Sequence, residues 1–557
     1  MRVATPAAAE MHAEPTPRAS VAPASLSLVS MLVVALILGG FATVAWVTRT
    51  PGVTHSNDDA LYMLLGDQLT HFSYRELFKV GAPRHGQYPP LWPALLGLTQ
   101  FVTGGSETAR FLLVTALMTG ALALFFDLAR RLLPLRLAVL VLAAAACNPF
   151  TILSAGRVMS EAAFLFWTIL CLWALQRARA SGDDRRFLVL AALAALAAAL
   201  TRTIGLTLLA GVVGAWLLQR RWRSAALLAT LTGVLVGGWL AWTLFNHEGV
   251  VGRSYVADAA QVTQDKSVGS GTASPVVVMA RKVALRVRLQ LTDLIPSGLP
   301  FPTLEGTVVD NVAWLLVTLV LGAFGAAAYW RLLPAAILYV LAYCALLSVW
   351  PWAPRRFFVP LQPLILLGFV LGALEMRRLW KPMARLSEPL AVALVAIVVS
   401  AGVPQVVANA QQGLRCDRQA MWTSDGCYNA DQRAFFAAVT YARDSLPTTA
   451  RYLVERETAF AYHTGRTVQH AQMPLRFSDE DFRAYLRNER IEYIVLTRLT
   501  ESEVSSVVPK LLRNCQYFAI ERVFEPTGRM YRLLSAPAPA AANACADLQR
   551  GIGGPPR

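Results

Sequence analysis

Long apolar runs separated by short basic segments dominate the chain from residue 26 to residue 409. A membrane-crossing helix needs about 20 mostly apolar residues. Runs of that kind fall near 26–47, 109–129, 137–156, 159–176, 187–201, 204–219, 224–245, 308–329, 332–350, 357–375 and 389–409, the fifth and sixth being short. The pattern predicts a polytopic α-helical membrane protein with about eleven transmembrane helices. Residues 1–25, rich in Ala and Pro and without a periodic apolar face, read as a disordered tail. The run from Leu26 to Val47 exceeds the roughly 7 to 15 residue core of a secretory signal and has no clear small-residue cleavage site after it, so it reads as an uncleaved first span.

Beyond the last run the pattern changes. From Asp431 onward charges mix with short β-like runs such as YIVL at 493–496 and helical stretches such as 479–488. Residues 410–557 are therefore expected to form a small α/β domain, and residues 26–409 the membrane domain.

Basic residues assign the sides. With the N-terminus cytoplasmic, the inside turns carry Arg130, Arg131 and Arg136; Arg177, Arg179, Arg185 and Arg186; Arg220, Arg221 and Arg223; Arg331; and Arg377, Arg378, Lys381 and Arg385. Every such turn is positive, as the cytoplasmic loops of membrane proteins are. The outside of the cytoplasmic membrane then receives loops 48–108 and 246–307 and the C-terminal domain. The stretch YPPLWPALLGLTQFV at 88–102 would invert these sides if it crossed, so a helix lying at the outer interface is expected, with Tyr88 and Trp92 at headgroup depth.

Composition agrees with this picture. The chain is 55% hydrophobic and only 15% charged, too apolar for a soluble protein, where about a quarter of residues are charged. Its formal charge of +16 lies mostly between apolar runs, which argues against a nucleic-acid partner and leaves membrane lipids as one. Cys147, Cys171 and Cys344 lie within apolar runs, whereas Cys416, Cys427, Cys515 and Cys545 lie in the C-terminal part. In an oxidising compartment these four could form two bridges, with Cys416 and Cys427 the expected local pair; free thiols are the alternative.

The candidate chemistry sits outside. In the first outer loop, RTPGVTHSNDDALYMLLGDQLTHF, Leu61, Leu64, Leu65 and Leu69 recur at helical spacing and predict an amphipathic helix on the membrane surface. Asp58 and Asp59 stand at its start. Capping by Ser56 or Asn57, with acids favouring the helix dipole, explains them without chemistry. Their company favours a functional role. The acidic dyad and the YPPL element, followed in order by SEAAFLF at 160–166, LTRTIGLTLLAG at 200–211 and RRFFVPLQPLILL at 355–367, resemble the polyprenyl-phosphate-sugar-dependent glycosyltransferases of the GT-C superfamily. The resemblance is strongest to the branch of the protein O-mannosyltransferases and lipid A aminoarabinose transferases.

That resemblance implies an outward-facing site, an inverting transfer, and a first-loop acid acting as general base or within a metal site. Asp58 matches the family's first acid, and Asp59 falls where relatives often carry Glu. Tyr88 stands where the aminoarabinose branch usually has Lys before the two prolines. The implied partners are a polyprenyl-phosphate-linked sugar and a lipid, glycan or protein acceptor. Asp58 and Asp59 are also the carboxylates that would hold a divalent cation where one is used. Arginines that the positive-inside pattern leaves unexplained are candidates for the donor phosphate: Arg202, Arg355, Arg356 and Arg157. Their alternative is snorkelling to outer headgroups. Glu161 lies four residues after Arg157, a spacing that permits a salt bridge as readily as a catalytic role. His55, His71 and His85 match no zinc signature and read as solvated or substrate-contacting. The loop 246–307, with its VTQDKSVGSGTAS and RKVALRVRLQ segments, reads either as a mobile cover or as a plain disordered loop.

The expected function is a membrane glycosyltransferase. A transporter or flippase of an envelope precursor is the alternative that many spans allow, although such proteins often show internal repeats and none is visible in this sequence.

Overall fold

The computed structural model describes residues 26–49, 57–246, 275–299, 308–350, 355–378, 383–471, 473–501 and 503–551. The N-terminal tail, His55, Ser56 and the polar half of loop 246–307 lie outside the described residues.

The membrane domain is a stack of helices: α1 (Leu28–Val47), α2 (Asn57–Leu69), α3 (Leu91–Thr103), α4 (Glu107–Ala129), α5 (Leu135–Ala146), α6 (Pro149–Ala155), α7 (Ser160–Ala180), α8 (Arg185–Thr201), α9 (Leu206–Leu218), α10 (Trp222–Phe245), α11 (Pro275–Leu289), α12 (Val308–Leu332), α13 (Pro334–Val349), α14 (Gln362–Glu375) and α15 (Met383–Arg415). All eleven apolar runs are helical. Among the described residues, α1, α4, α10, α15 and the Leu315–Leu332 part of α12 are long and apolar enough to cross a membrane. The run at 137–156 is divided into α5 and α6, bent by 62°, which together qualify as a sixth span. The local cause is Asn148, whose side chain accepts from the amides of Phe150 (2.9 Å) and Thr151 (3.3 Å) and starts a new helix with Pro149 at its first position.

A second break separates α8 from α9. Arg202 has extended backbone, and a single tight turn at 203–205 leads into α9. Gly205 permits this turn, because a Cβ there would lie 2.5 Å from the Ala198 backbone.

The expected surface helix is α2, and it packs against protein along much of its length. Leu61, Tyr62, Met63 and Leu65 are buried. It is packed between α3 on one side and the C-terminal helix Glu457–Thr464 on the other. The leucine periodicity was therefore a core signal. At 13 residues α3 is too short to cross. Trp92 is fully buried and Tyr88 nearly so: both rings face protein. In the basic half of loop 246–307, RKVALRVRLQ is helical: it lies in α11 up to Leu289 and ends on Gln290, the first residue of the next helical turn, whose amide donates to Cys344 O and Ser348 Oγ of α13, both at 3.1 Å.

α15 continues to Arg415, past the expected domain start at 410. The C-terminal domain then adds α16 (Ala430–Ser445), β1 (Arg451–Val454), α17 (Glu457–Thr464), β2 (Thr467–His470), α18 (Asp479–Asn488), β3 (Tyr493–Leu496), α19 (Val508–Arg513), β4 (Phe518–Phe524), β5 (Gly528–Leu533) and α20 (Cys545–Gly551). The five strands form one sheet in the order β2-β1-β3-β5-β4. β1 is parallel to β2 and β3, while β5 is antiparallel to β3 and β4. The two strand and helix segments read from the sequence, 493–496 and 479–488, coincide with β3 and α18. Disulfides join Cys416 to Cys427 and Cys515 to Cys545.

The α2–α3 contact is backbone on backbone: a Cβ on Gly97 would lie 2.4 Å from Gly66 O. Gly97→Val should therefore force the helices apart and cost roughly 1 to 3 kcal/mol, as overpacking does. A lowered midpoint in detergent thermal unfolding is expected; an unchanged midpoint would contradict this packing.

Candidate active site

Asp58 lies at the first turn of α2, with its side chain 19% exposed. Arg356 Nη2 donates to its Oδ2 at 2.5 Å, and the Tyr88 hydroxyl donates to its Oδ1 at 2.7 Å. Burial alone would raise the Asp58 pKa, but Arg356 and the Tyr88 hydrogen bond outweigh it and hold the carboxyl below its ordinary value. Asp58 is thus an anion at neutral pH. Asp59 is buried, its Oδ1 accepts from the adjacent Ala60 amide at 2.8 Å, and its charge acts on Arg157.

Each partner is positioned by its own local structure. Arg356 stands in the helical turn Arg355–Phe358, which follows α13. Tyr343 of α13 donates to Phe357 O at 2.6 Å and fixes that turn. The Phe357 ring lies beside two guanidiniums, those of Arg202 at 5.5 Å and Arg356 at 5.6 Å, a cation–π arrangement that orients both. Arg355 opens the same turn, and its side chain lies outside the described residues.

Arg202, exposed by the α8–α9 break, pairs with Glu161 Oε1 at 2.7 Å and donates to Ser160 Oγ at 3.0 Å. Ser160 Oγ also meets the Tyr62 hydroxyl at 3.1 Å. The i, i+4 spacing of Arg157 and Glu161, which permitted a salt bridge, does not fall within one helix, because α7 starts at Ser160 and Arg157 precedes it; Glu161 pairs with Arg202. Arg157 is still near: burial pulls its pKa down to about 10, while Asp59 and Glu161 oppose that and Arg356 adds to it. It stays cationic at neutral pH.

Tyr88 is held at every polar atom. His85 Nε2 accepts from its amide at 2.8 Å, Tyr74 donates to its carbonyl at 2.7 Å, and its ring packs against Tyr62 with centroids 4.8 Å apart. Because Nε2 is an acceptor, the neutral His85 ring carries its proton on Nδ1, which donates to Glu76 Oε1 at 2.8 Å. His85 is 1% exposed, so it builds the Tyr88 loop and is neither solvated nor placed for substrate. Glu76 is itself buried, which would raise its pKa, yet Lys79 and His85 hold it at about 2. His71 is exposed on the turn after α2.

Asp58, Asp59, Tyr88, Arg157, Glu161, Arg202 and Arg356, which are scattered from residue 58 to residue 356, thus converge. Sequence reasoning missed Ser160, Phe357 and Tyr62, although the first two lie inside motifs it singled out.

Comparison with protein families gives no match, nor does comparison with curated proteins. Solved structures do align. ArnT from Cupriavidus metallidurans bound to undecaprenyl phosphate aligns at a TM-score of 0.54 and 13% identity, covering 92% of this chain and 100% of that one. The oligosaccharyltransferase AglB from Archaeoglobus fulgidus, in complex with an inhibitory peptide and a dolichol-phosphate, aligns at 0.51 and 13%, covering 92% and 76%. This chain has the GT-C fold.

One A. fulgidus oligosaccharyltransferase structure of the same GT-C fold, at a TM-score of 0.52 and 12% identity, holds Zn and sulfate. The residues here fit a divalent cation poorly. Both Asp58 oxygens are already engaged by hydrogen-bond donors, one of them a cation, and among the described residues no three His, Cys, Asp or Glu side chains are grouped so as to hold a metal ion. A Ca²⁺ ion takes about six to eight oxygen ligands, and Mg²⁺ needs one or two free carboxylates.

Tyr88→Phe removes one of the two bonds that lower the Asp58 pKa, so that pKa should rise. A carboxyl with a depressed folded pKa stabilises above its unfolded value, near ~4, and loses that stabilisation as pH falls through the folded value. The variant should be less stable by roughly 1 to 3 kcal/mol at neutral pH, with the gap narrowing in acid. Thermal unfolding across pH tests this, and a pH-independent gap would argue against it.

Proposed function

We propose that this protein is a membrane glycosyltransferase that takes a sugar from a polyprenyl-phosphate donor and places it, with inversion, on a lipid, glycan or protein acceptor at the outer side of the cytoplasmic membrane. The observation that carries the proposal is the Asp58 carboxylate bonded to the partly exposed Arg356 guanidinium, with Arg202 and Arg157 nearby, on a fold shared with structures that contain undecaprenyl phosphate or dolichol-phosphate.

Asp58 is the base. It takes the proton from the acceptor hydroxyl as that oxygen bonds to the anomeric carbon, while the bond from that carbon to the phosphate oxygen breaks and the polyprenyl phosphate departs with the electron pair. Arg356, Arg202 and Arg157, with Arg355 from the same turn, meet the charge on the leaving group.

The charges make these steps interdependent. Among the described side chains Asp58, Asp59 and Glu161 face Arg356, Arg202 and Arg157, so a phosphate that takes Arg356 draws it away from the Asp58 carboxylate. When the phosphate takes Arg356, Asp58 loses the charge that lowers its pKa while burial still raises it. Its basicity therefore grows when the donor is in place, and it is a poor base otherwise.

The outward orientation is supported by the positive turns on the opposite side and by two disulfides in the C-terminal domain. Hexosyl or pentosyl donors both suit these groups.

Asp58→Asn keeps the shape and a hydrogen-bond acceptor but removes the base. In reconstituted vesicles, transfer from a lipid-linked sugar should fall about 10²- to 10⁴-fold while the protein remains folded. Undiminished transfer would remove Asp58 from the chemistry.

A further inference from the structure

The C-terminal domain reaches the acidic dyad through the residue before it. Thr458 Oγ1 donates to Asn57 O at 2.6 Å and lies 3.2 Å from Asn57 Oδ1. The Asn57 amide donates to Glu457 Oε2 at 2.8 Å and to Glu455 O at 3.2 Å. Glu457 and Thr458 are the first two residues of α17 and are each 1% exposed, so these bonds are sheltered from water.

Geometry makes this clasp consequential. The carbonyl of Asn57 and the amide of Asp58 share one planar peptide unit. A hydrogen bond that fixes the carbonyl therefore fixes the plane from which the Asp58 side chain departs. The same domain grips the other neighbour of Asp58: the Val468 amide on β2 donates to Phe78 O at 2.8 Å, in the loop that delivers Tyr88. The carboxylate is held between an α2 start and a tyrosine loop, and both are anchored to one soluble domain.

We propose that Thr458, with Glu457, is a positioning residue for the Asp58 carboxylate, so that the soluble domain completes the geometry of the base and is more than an appended acceptor-binding module. This rests on Asp58 being the base. A reacting group displaced by about 1 Å can lose on the order of 10² in rate. Loss of one of several anchors should cost less.

The test uses the full-length protein in lipid nanodiscs. Thr458→Val removes the hydroxyl at nearly constant volume, and Thr458→Ser keeps it. Expected for Thr458→Val are a kcat lowered roughly tenfold, a KM for the lipid-linked donor within about twofold because the guanidiniums do not move, and faster amide hydrogen exchange in the 57–69 segment with α4 unaffected. Thr458→Ser should restore both. A wild-type kcat in Thr458→Val, an unchanged exchange rate in 57–69, or a loss that Thr458→Ser does not recover overturns the clasp. Absence of transfer by the wild-type protein counts against the proposed reaction alone, and the exchange measurement then decides the clasp by itself.

Discussion

The arrangement depends on the ion pair between Asp58 and Arg356. Drawing the Asp58 carboxylate largely out of water carries a penalty that its attraction to the partly exposed Arg356 offsets only when the geometry is close and the remaining polar atoms are bonded. Here the pair is 2.5 Å apart and the second carboxylate oxygen is taken by Tyr88. Its members lie 298 residues apart in the chain. Joining them requires α2, the YPPL loop and the turn after α13 to meet. The Arg202–Glu161 pair beside it obeys the same rule, and Phe357 spaces the two guanidiniums so that their repulsion is balanced by nearby acids.

Interruptions in the helices build the site. Within a membrane every backbone polar group must find a partner, so irregular backbone occurs where protein supplies one or where a polar cavity is lined. The chain stops being helical after Ala155, at Arg202 and after Val349, and these are the places from which Arg157, Arg202 and Arg356 are presented. An unbroken helix at 185–218 would have aimed Arg202 along a packed face. The extended backbone at Arg202 turns it toward Ser160 and Glu161.

This explains how much was legible in the sequence. The apolar runs are local and strong, and all of them are helical; YIVL at 493–496 and the helix at 479–488 were also local signals. The candidate residues stood out because charges out of place in an apolar region are conspicuous, and Asp58, Arg157, Arg202 and Arg356 do lie close together. What failed was anything decided by long-range burial. The leucines of α2, the ring of Trp92 and the imidazole of His85 have the composition of surface groups, and only the arrival of α3, α17 and the Tyr74–Tyr88 loop makes them interior. The Asn57 clasp joins residues about 400 positions apart and leaves no mark in either local sequence.

Tyr88 decides where the positive charge of the site must come from. A lysine before the two prolines, as in the resembled aminoarabinose branch, would put an ammonium next to Asp58. Tyr88 instead supplies a neutral donor whose single proton is spent on Asp58 Oδ1. It can therefore steady the carboxylate but cannot balance a phosphate. On the proposed reaction the leaving-group charge falls wholly to guanidiniums, which bind phosphate oxygens in a planar, bidentate fashion and stay charged when buried. Arg356 is the one among them already bonded to the base, so the same side chain that restrains Asp58 before donor binding is the one positioned to release it.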